Sequence, residues 1–320
     1  MANYNQIRGL RVKYLSADPA TSESGQVWYN STTGSLRAAG IIGLGTWASG
    51  GGLNSARTNG CSGGLQTAAL YAGGGSPGAV TELYNGSTWT TSPATMNTAR
   101  FNMRGAGTQT SYIMTGGDPA TGAESFNGSA WSNETAYPVS VSLIGAAGTD
   151  SAAVFFGGGT PITITNYWNG SSWSNQSSAN QGGAANNGPL GAGQSDAVFL
   201  SGTELTGLQG RTQLWDGSSW TTSGTASTQG DSRSNMGTVG TNCVSAGGRT
   251  PSYTTAAEAF NGTAWSTTGS LASPKAAGGG AGTGAAGLAF GGNSSGSPDV
   301  TAITEEFTEA TAATKTITTS

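Results

Sequence analysis

The chain of 320 residues contains no histidine. Imidazole is the commonest general base and the commonest metal ligand. Histidine-based triads, histidine-bearing zinc sites and histidine-ligated copper oxidase sites are therefore excluded. Charge is also scarce. Only 9% of residues are charged and the formal net charge is −4, where ordinary soluble domains carry roughly 25% charged residues. No basic run exceeds two residues, so the electrostatic footprint of a nucleic-acid binder is missing. No stretch of 18 apolar residues is present to enter a membrane. The segment 1–14 lacks the apolar core of a secretory signal, which predicts a protein not exported by that route. Cysteine is limited to Cys61 and Cys243.

Glycine is abundant instead, 55 of 320 residues. So weakly charged and polar a composition could belong to a disordered chain. Nine Trp, nine Tyr and eight Phe argue against disorder, because they recur in register. The phrase Tyr84-Asn85-Gly86-Ser87-Thr88-Trp89 returns around Trp131, Trp173, Trp220 and Trp265. Counted from Trp47, the steps between these tryptophans are 42, 42, 42, 47 and 45 residues. A period of this size means a propeller, a solenoid or an array.

Each repeat reads as four short strands. The first is small and Gly-rich, as in residues 101–107. The second is apolar and ends in paired glycines: Gly73-Gly74, Gly116-Gly117, Gly157-Gly158, Gly247-Gly248 and Gly291-Gly292, with Ser201-Gly202 departing. The third leads to an aromatic. An Asn-Gly or Asp-Gly step then predicts a two-residue hairpin turn with both central residues at positive φ. The fourth strand carries the tryptophan. Four antiparallel strands at this period predict an all-β, six-bladed propeller over 41–310. Small first strands would line the channel, and the aromatics would pack between blades. Cys61 and Cys243 fall in the first and fifth repeats, which are not neighbours, so two buried free thiols are expected.

The sixth repeat, ending at Glu305-Glu306-Phe307, lacks the turn and the Trp, whereas Thr46-Trp47 has no third strand before it. The segment around Trp47 is thus a candidate for the missing fourth strand. The Thr-rich tail 311–320 is the competing candidate. Residues 1–40 stand outside the repeat as an arm too short for a core of its own. It comprises an extended 11–15, a polar loop 17–24 and a β-hairpin over 25–37.

Variation between repeats marks possible sites. The connections from second to third strand and from blade to blade vary most, in 175–187 and 204–210 above all, and both emerge on one face. Arg57, Arg100 and Lys275 each precede their repeat's first paired glycine by 16 residues. Arg233 fits the same slot if its repeat is two residues shorter, and Val141 and Asn186 occupy the slot in repeats three and four. Two readings stand. The four basic residues form an arc at the channel mouth for an anionic ligand, or each bridges to carbonyls of the neighbouring blade's loops.

Catalysis is not expected. Trp215-Asp216-Gly217 differs from a sialidase aspartate box, which separates Asp and Gly by one residue. Asp118, Asp150, Asp196, Asp231 and Asp299 read as turn formers. Asp150 and Asp196 occupy similar turns of adjacent repeats, too far apart for a two-carboxylate glycosidase. No cofactor or metal is implied.

The paired glycines followed by an aromatic and a Trp resemble the kelch repeat over 44–310, which implies a β-propeller. The arm, Gly25-Gln26-Val27-Trp28-Tyr29-Asn30-Ser31-Thr32-Thr33-Gly34 with Leu36, resembles the start of many bacteriophage tail and appendage proteins. Kelch-like propellers behind such an arm are similar to structural proteins of marine phages, including cyanophages. The resemblance implies a virion protein assembled in the host cytoplasm, in multiple copies per particle. Its arm would hold other virion proteins through Trp28, Tyr29 and Arg37, and a host-surface glycan is a second candidate partner. The Asn-Gly-Ser/Thr sequons are then turn residues. A stand-alone carbohydrate-binding propeller is the alternative.

Overall fold

The computed structural model describes residues 12–20, 26–41, 44–75, 78–118, 122–158, 163–180, 184–185, 190–204, 207–208, 210–228, 230–294 and 300–317. Arg11, Asn186 and Asp299 lie outside them, as do parts of the variable connections. The chain divides into two compact units, Thr46–Thr308 and a smaller one made of Met1–Gly45 with Glu309–Ser320.

The larger unit is a β-propeller. Among the described residues it contains six antiparallel sheets with a four-strand path, one per repeat. In blade one the strands are Cys61–Leu65, Ala68–Gly74, Gly78–Tyr84 and Trp89–Thr91. In blade four a short Gly207–Leu208 adds a fifth. The ring closes as one of the two candidates required. Thr46–Gly50 pairs with Thr304–Thr308, setting Trp47 opposite Phe307 as Trp89 stands opposite Tyr84. The fourth strand of blade six thus comes from the start of the propeller segment, and among the described residues each blade has its four-strand path. The tail does not close the ring: Ala312–Thr316 pairs with Ser35–Ile41 in the smaller unit.

First strands face the channel, where Cys61–Leu65 lies beside both Arg104–Thr108 and Gly279–Gly282. Their smallness is a packing requirement. A Cβ on Gly280 would meet the Asn235 carbonyl oxygen at 2.1 Å. Ser62 ties blades one and six by donating to the Gly280 carbonyl and accepting from its N–H. A chain of backbone bonds across five blades runs just before these strands. Asn59, Asn102, Leu143, Ser232 and Ala277 all sit at φ of 56–60°. Asn102 donates to Asn59, Asn59 to Ala277, Ala277 to Ser232, and Leu143 to Asn102. Left-handed backbone at Leu143 and Ala277 costs energy that these bonds offset.

Tryptophans bolt each blade to the one before it. The indole N–H groups of Trp89, Trp131, Trp220 and Trp265 donate to the hydroxyls of Thr304, Thr81, Thr165 and Thr212 at 2.8–2.9 Å. Each of those threonines lies on the third strand of the preceding blade, three residues before its turn aromatic. Where that position is alanine, at Ala123 and Ala257, the indole turns to a loop carbonyl instead: Trp173 donates to Thr135 and Trp47 to Gly269. The inter-blade role expected of the stripe is thus observed.

The hairpin turns differ from expectation. Tyr84 pairs with Trp89, so four residues connect the strands, closed by the Asn85 N–H donating to Thr88. Gly86 has positive φ and Asn85 does not. The Asn side chain acts as a cap, its Oδ1 accepting from the N–H groups of Ser87 and Thr88. Asn127, Asn169, Asp216 and Asn261 repeat this arrangement. An Asx turn meets the same sequence preference without a left-handed Asn. Both cysteines are free and buried, and burial pushes each thiol up to about 12.

The smaller unit is one sheet in the order Lys13–Leu15, Val27–Asn30, Ser35–Ile41, Ala312–Thr316, its first pair parallel and the others antiparallel. The arm is therefore completed by the far end of the chain.

Candidate functional site

The four basic residues do not form an exposed arc. Arg57, Arg100, Arg233 and Lys275 retain only 6, 1, 1 and 1% exposure. Each is paired with a buried glutamate on the third strand of its own blade: Arg57 with Glu82, Arg100 with Glu124 at 2.6 Å, Arg233 with Glu258 at 3.0 Å and Lys275 with Glu305 at 3.1 Å. Each glutamate also accepts from two consecutive N–H groups of the incoming loop. These are Asn54 and Ser55, Asn97 and Thr98, Ser227 and Thr228, and Ala272 and Ser273. Carboxylate, cation and loop backbone thus form one closed latch, with no charge left to attract an external anion.

The alternative expectation needs correction as well. The side chains bond carbonyls of their own blade, not the neighbour's. Arg57 donates to Gly73 and Tyr71, and its guanidinium lies 4.5 Å over the Tyr71 ring. What crosses between blades is the backbone. The second paired glycine of one blade donates its N–H to the carbonyl of the next blade's residue in this slot: Gly74 to Arg100, Gly117 to Val141, Gly248 to Lys275 and Gly292 to Arg57. Those glycines need positive φ to do so.

Arg233 reaches the latch from a different backbone position. Ser232 holds the left-handed place that Asn59 holds in blade one, so Arg233 corresponds to Gly60 and not to Arg57. Blade five is not shortened. It carries a bulge between Met236 and Val239. The guanidinium still donates to the Ser245 carbonyl, in the place where Arg57 donates to Tyr71.

Sequence reasoning missed the acids, although a signal was present. The residue two before the turn aromatic is Glu82, Glu124, Asn166, Gln213, Glu258 and Glu305 in blades one to six. Glutamate occurs in the four blades with a basic partner and an amide in the two without. Asn166 donates to the Tyr137 hydroxyl, and Gln213 accepts from the Asn180 N–H. At Glu258 burial works against the charged form, but the Ser227 hydrogen bonds and the Arg233 charge outweigh it and hold the carboxyl below its usual range. At Lys275 burial prevails over the attraction of Glu305 and lowers the ammonium's pKa.

Arg104 is a buried cation of another kind. It donates to the Met103 carbonyl, its Nε has no partner, and no carboxylate among the described residues pairs with it. Burial brings its pKa down to about 10. In the smaller unit Trp28 is fully buried, with its indole donating to Asp18 at 2.9 Å. It is not available to a partner, contrary to expectation. Asp18 also accepts from Asn30 and lies 3.8 Å from Arg37. Tyr29 is half-buried and packs against the exposed Tyr14 ring at 4.8 Å. Tyr14, Tyr29 and Arg37 keep accessible surface.

Blade six carries an open concavity. A cavity of about 370 Å3 in blade six is lined by Ser49, Gly50, Ala272, Ser273, Ile303 and Glu305 among others. No cluster of acidic or cysteine side chains able to hold a metal occurs among the described residues.

The chain matches no protein-family profile and no curated protein. Among solved structures it is similar to one described as the structure of YjhT, with a TM-score of 0.66 and 12% sequence identity. The match covers 83% of this chain and 99% of that one. Likeness at this identity is likeness of fold, and the chain is a β-propeller of that general kind.

Proposed function

We propose that this chain is a structural protein of a bacteriophage particle, in the tail or a tail-associated appendage. It works in assembly, in multiple copies, with host-surface glycan recognition as a second role. The propeller is of the kelch type in this reading and is not an enzyme. The observation that carries the proposal is the smaller unit. Lys13–Leu15, Val27–Asn30, Ser35–Ile41 and Ala312–Thr316 form a sheet of their own, and this part of the chain carries the Gly25–Gly34 phrase with Leu36 that resembles phage tail proteins. A separate two-ended module suits attachment, and the propeller suits display. The buried latches agree with a supporting role, since they place charge where it holds blades closed and not where it meets substrate.

The test is purification of phage particles from lysate through a density gradient, followed by quantitative mass spectrometry. A virion component keeps a fixed copy number per major capsid protein across the peak. A free carbohydrate-binding propeller stays at the top of the gradient, and that result would overturn the assignment.

A further inference from the structure

The cavity in blade six marks a place where blades one, two and four insert a side-chain amide and blade five carries Ser227. In blades one, two and four the residue at the start of the incoming loop is asparagine. Its Nδ2 donates to the carbonyl of the fourth-strand tryptophan: Asn54 to Trp89 at 3.0 Å, Asn97 to Trp131 at 3.3 Å and Asn180 to Trp220 at 2.8 Å. A second acceptor stands two residues further along that strand, Thr91 Oγ1 in blade one and Asn133 Oδ1 in blade two. Register places Ala272 of blade six at the position of Asn54, since its N–H meets Glu305 as that of Asn54 meets Glu82. Trp47 and Ser49 stand in the places of Trp89 and Thr91. Alanine has no amide to contribute. The space it leaves is the cavity lined by Ser49 and Ala272.

We infer that this cavity is a binding subsite for an external amide, and that its ligand class is a neutral acetamido sugar. An acetamido N–H supplies the donor that Asn54 supplies in blade one, directed at the Ser49 hydroxyl on the cavity wall. The methyl of the acetamido group has apolar neighbours in Ala272, Ala302 and Ile303. The volume exceeds what a carboxamide alone fills, which leaves room for a sugar ring. The nearest charge, Glu305, is neutralised by Lys275, so nothing in the wall selects an ionised ligand. This deepens the glycan-recognition part of the proposed function. It is tested on the free protein, so its failure is distinct from a failure to find the chain in particles.

The experiment is ligand-observed saturation-transfer NMR on the full chain with N-acetylglucosamine, glucose and N-methylacetamide. The expected result is transfer to the acetamido methyl of N-acetylglucosamine, competition by N-methylacetamide and none from glucose. Ala272→Asn restores the side chain found in three other blades. It should weaken binding at least tenfold while leaving the melting temperature unchanged or higher. Should that variant fold poorly, Ser49→Val on the exposed fourth strand removes the second acceptor and blocks the mouth, with the same loss expected. Equal binding of glucose, no binding of any acetamido probe, or full binding by the folded variants would each overturn the inference.

Discussion

Arg57 and Glu82 illustrate how residues in this chain are chosen in pairs. A buried charge is costly unless its partner and its remaining hydrogen-bonding groups are satisfied. Here the cation, the carboxylate and two loop N–H groups satisfy one another. Blade three carries no charge there, with Val141 and Asn166 in the corresponding places and the buried Asn166 Oδ1 left without a partner. This predicts strong coupling. Arg57→Val or Glu82→Asn alone should each destabilise by about 3–5 kcal/mol, because each strands a buried charge. The double substitution copies blade three and should recover about 2 kcal/mol or more of their sum. Denaturant unfolding of the four proteins measures this directly, and simple additivity would show that the two residues do not form one latch. The cationic half of this pairing stood out in the sequence because Arg and Lys are rare. The acidic half was equally regular but was hidden in a strand whose aromatic drew attention. Burial, which separates a latch from an anion site, depends on contacts between second and third strands that spacing does not reveal.

Elements repeat their chemistry where the sequence allows and change it where a single atom is missing. Indole groups bond threonine hydroxyls in four blades and turn to loop carbonyls where alanine precedes them. The strands, the tryptophan positions and the paired glycines were all legible from the period. The Asx turn was not, because Asn-Gly serves a tight type I′ turn and a side-chain cap equally well. Arg233 was placed by counting back from the glycines, and a one-residue bulge in blade five defeats that count. Acid stability belongs to this scale. Glu258 has its folded pKa held below the ordinary 4.5. The latch it closes therefore contributes in full above that unfolded value and is lost as pH falls through the lower folded value. Melting temperature should be flat near neutrality and decline below about pH 4.5. Glu258→Gln should lower it at neutral pH and flatten the acid decline. A variant with the full acid-limb slope would remove Glu258 from that account.

The whole molecule is organised by where its two ends go. The start of the propeller segment supplies the fourth strand of blade six, through Trp47, and the last strand of the chain completes a separate sheet with Ser35–Ile41. The period and its phase showed in the sequence that a strand was missing from blade six. Period and phase did not decide between Thr46–Gly50 and the tail, because both are short, polar and rich in β-formers. Nor did they reveal the fate of Trp28, which an isolated hairpin would expose but Asp18 and the surrounding sheet enclose. The two ends now define a clean truncation. Removing residues 1–44 together with 309–320 leaves every described blade strand in place. The most direct measurement is the occupancy of this truncated chain in purified phage particles, with its melting temperature determined alongside. The smaller unit as anchor predicts a melting transition close to that of the intact propeller and occupancy reduced to background. A folded, truncated propeller that assembles at the wild-type copy number would contradict it.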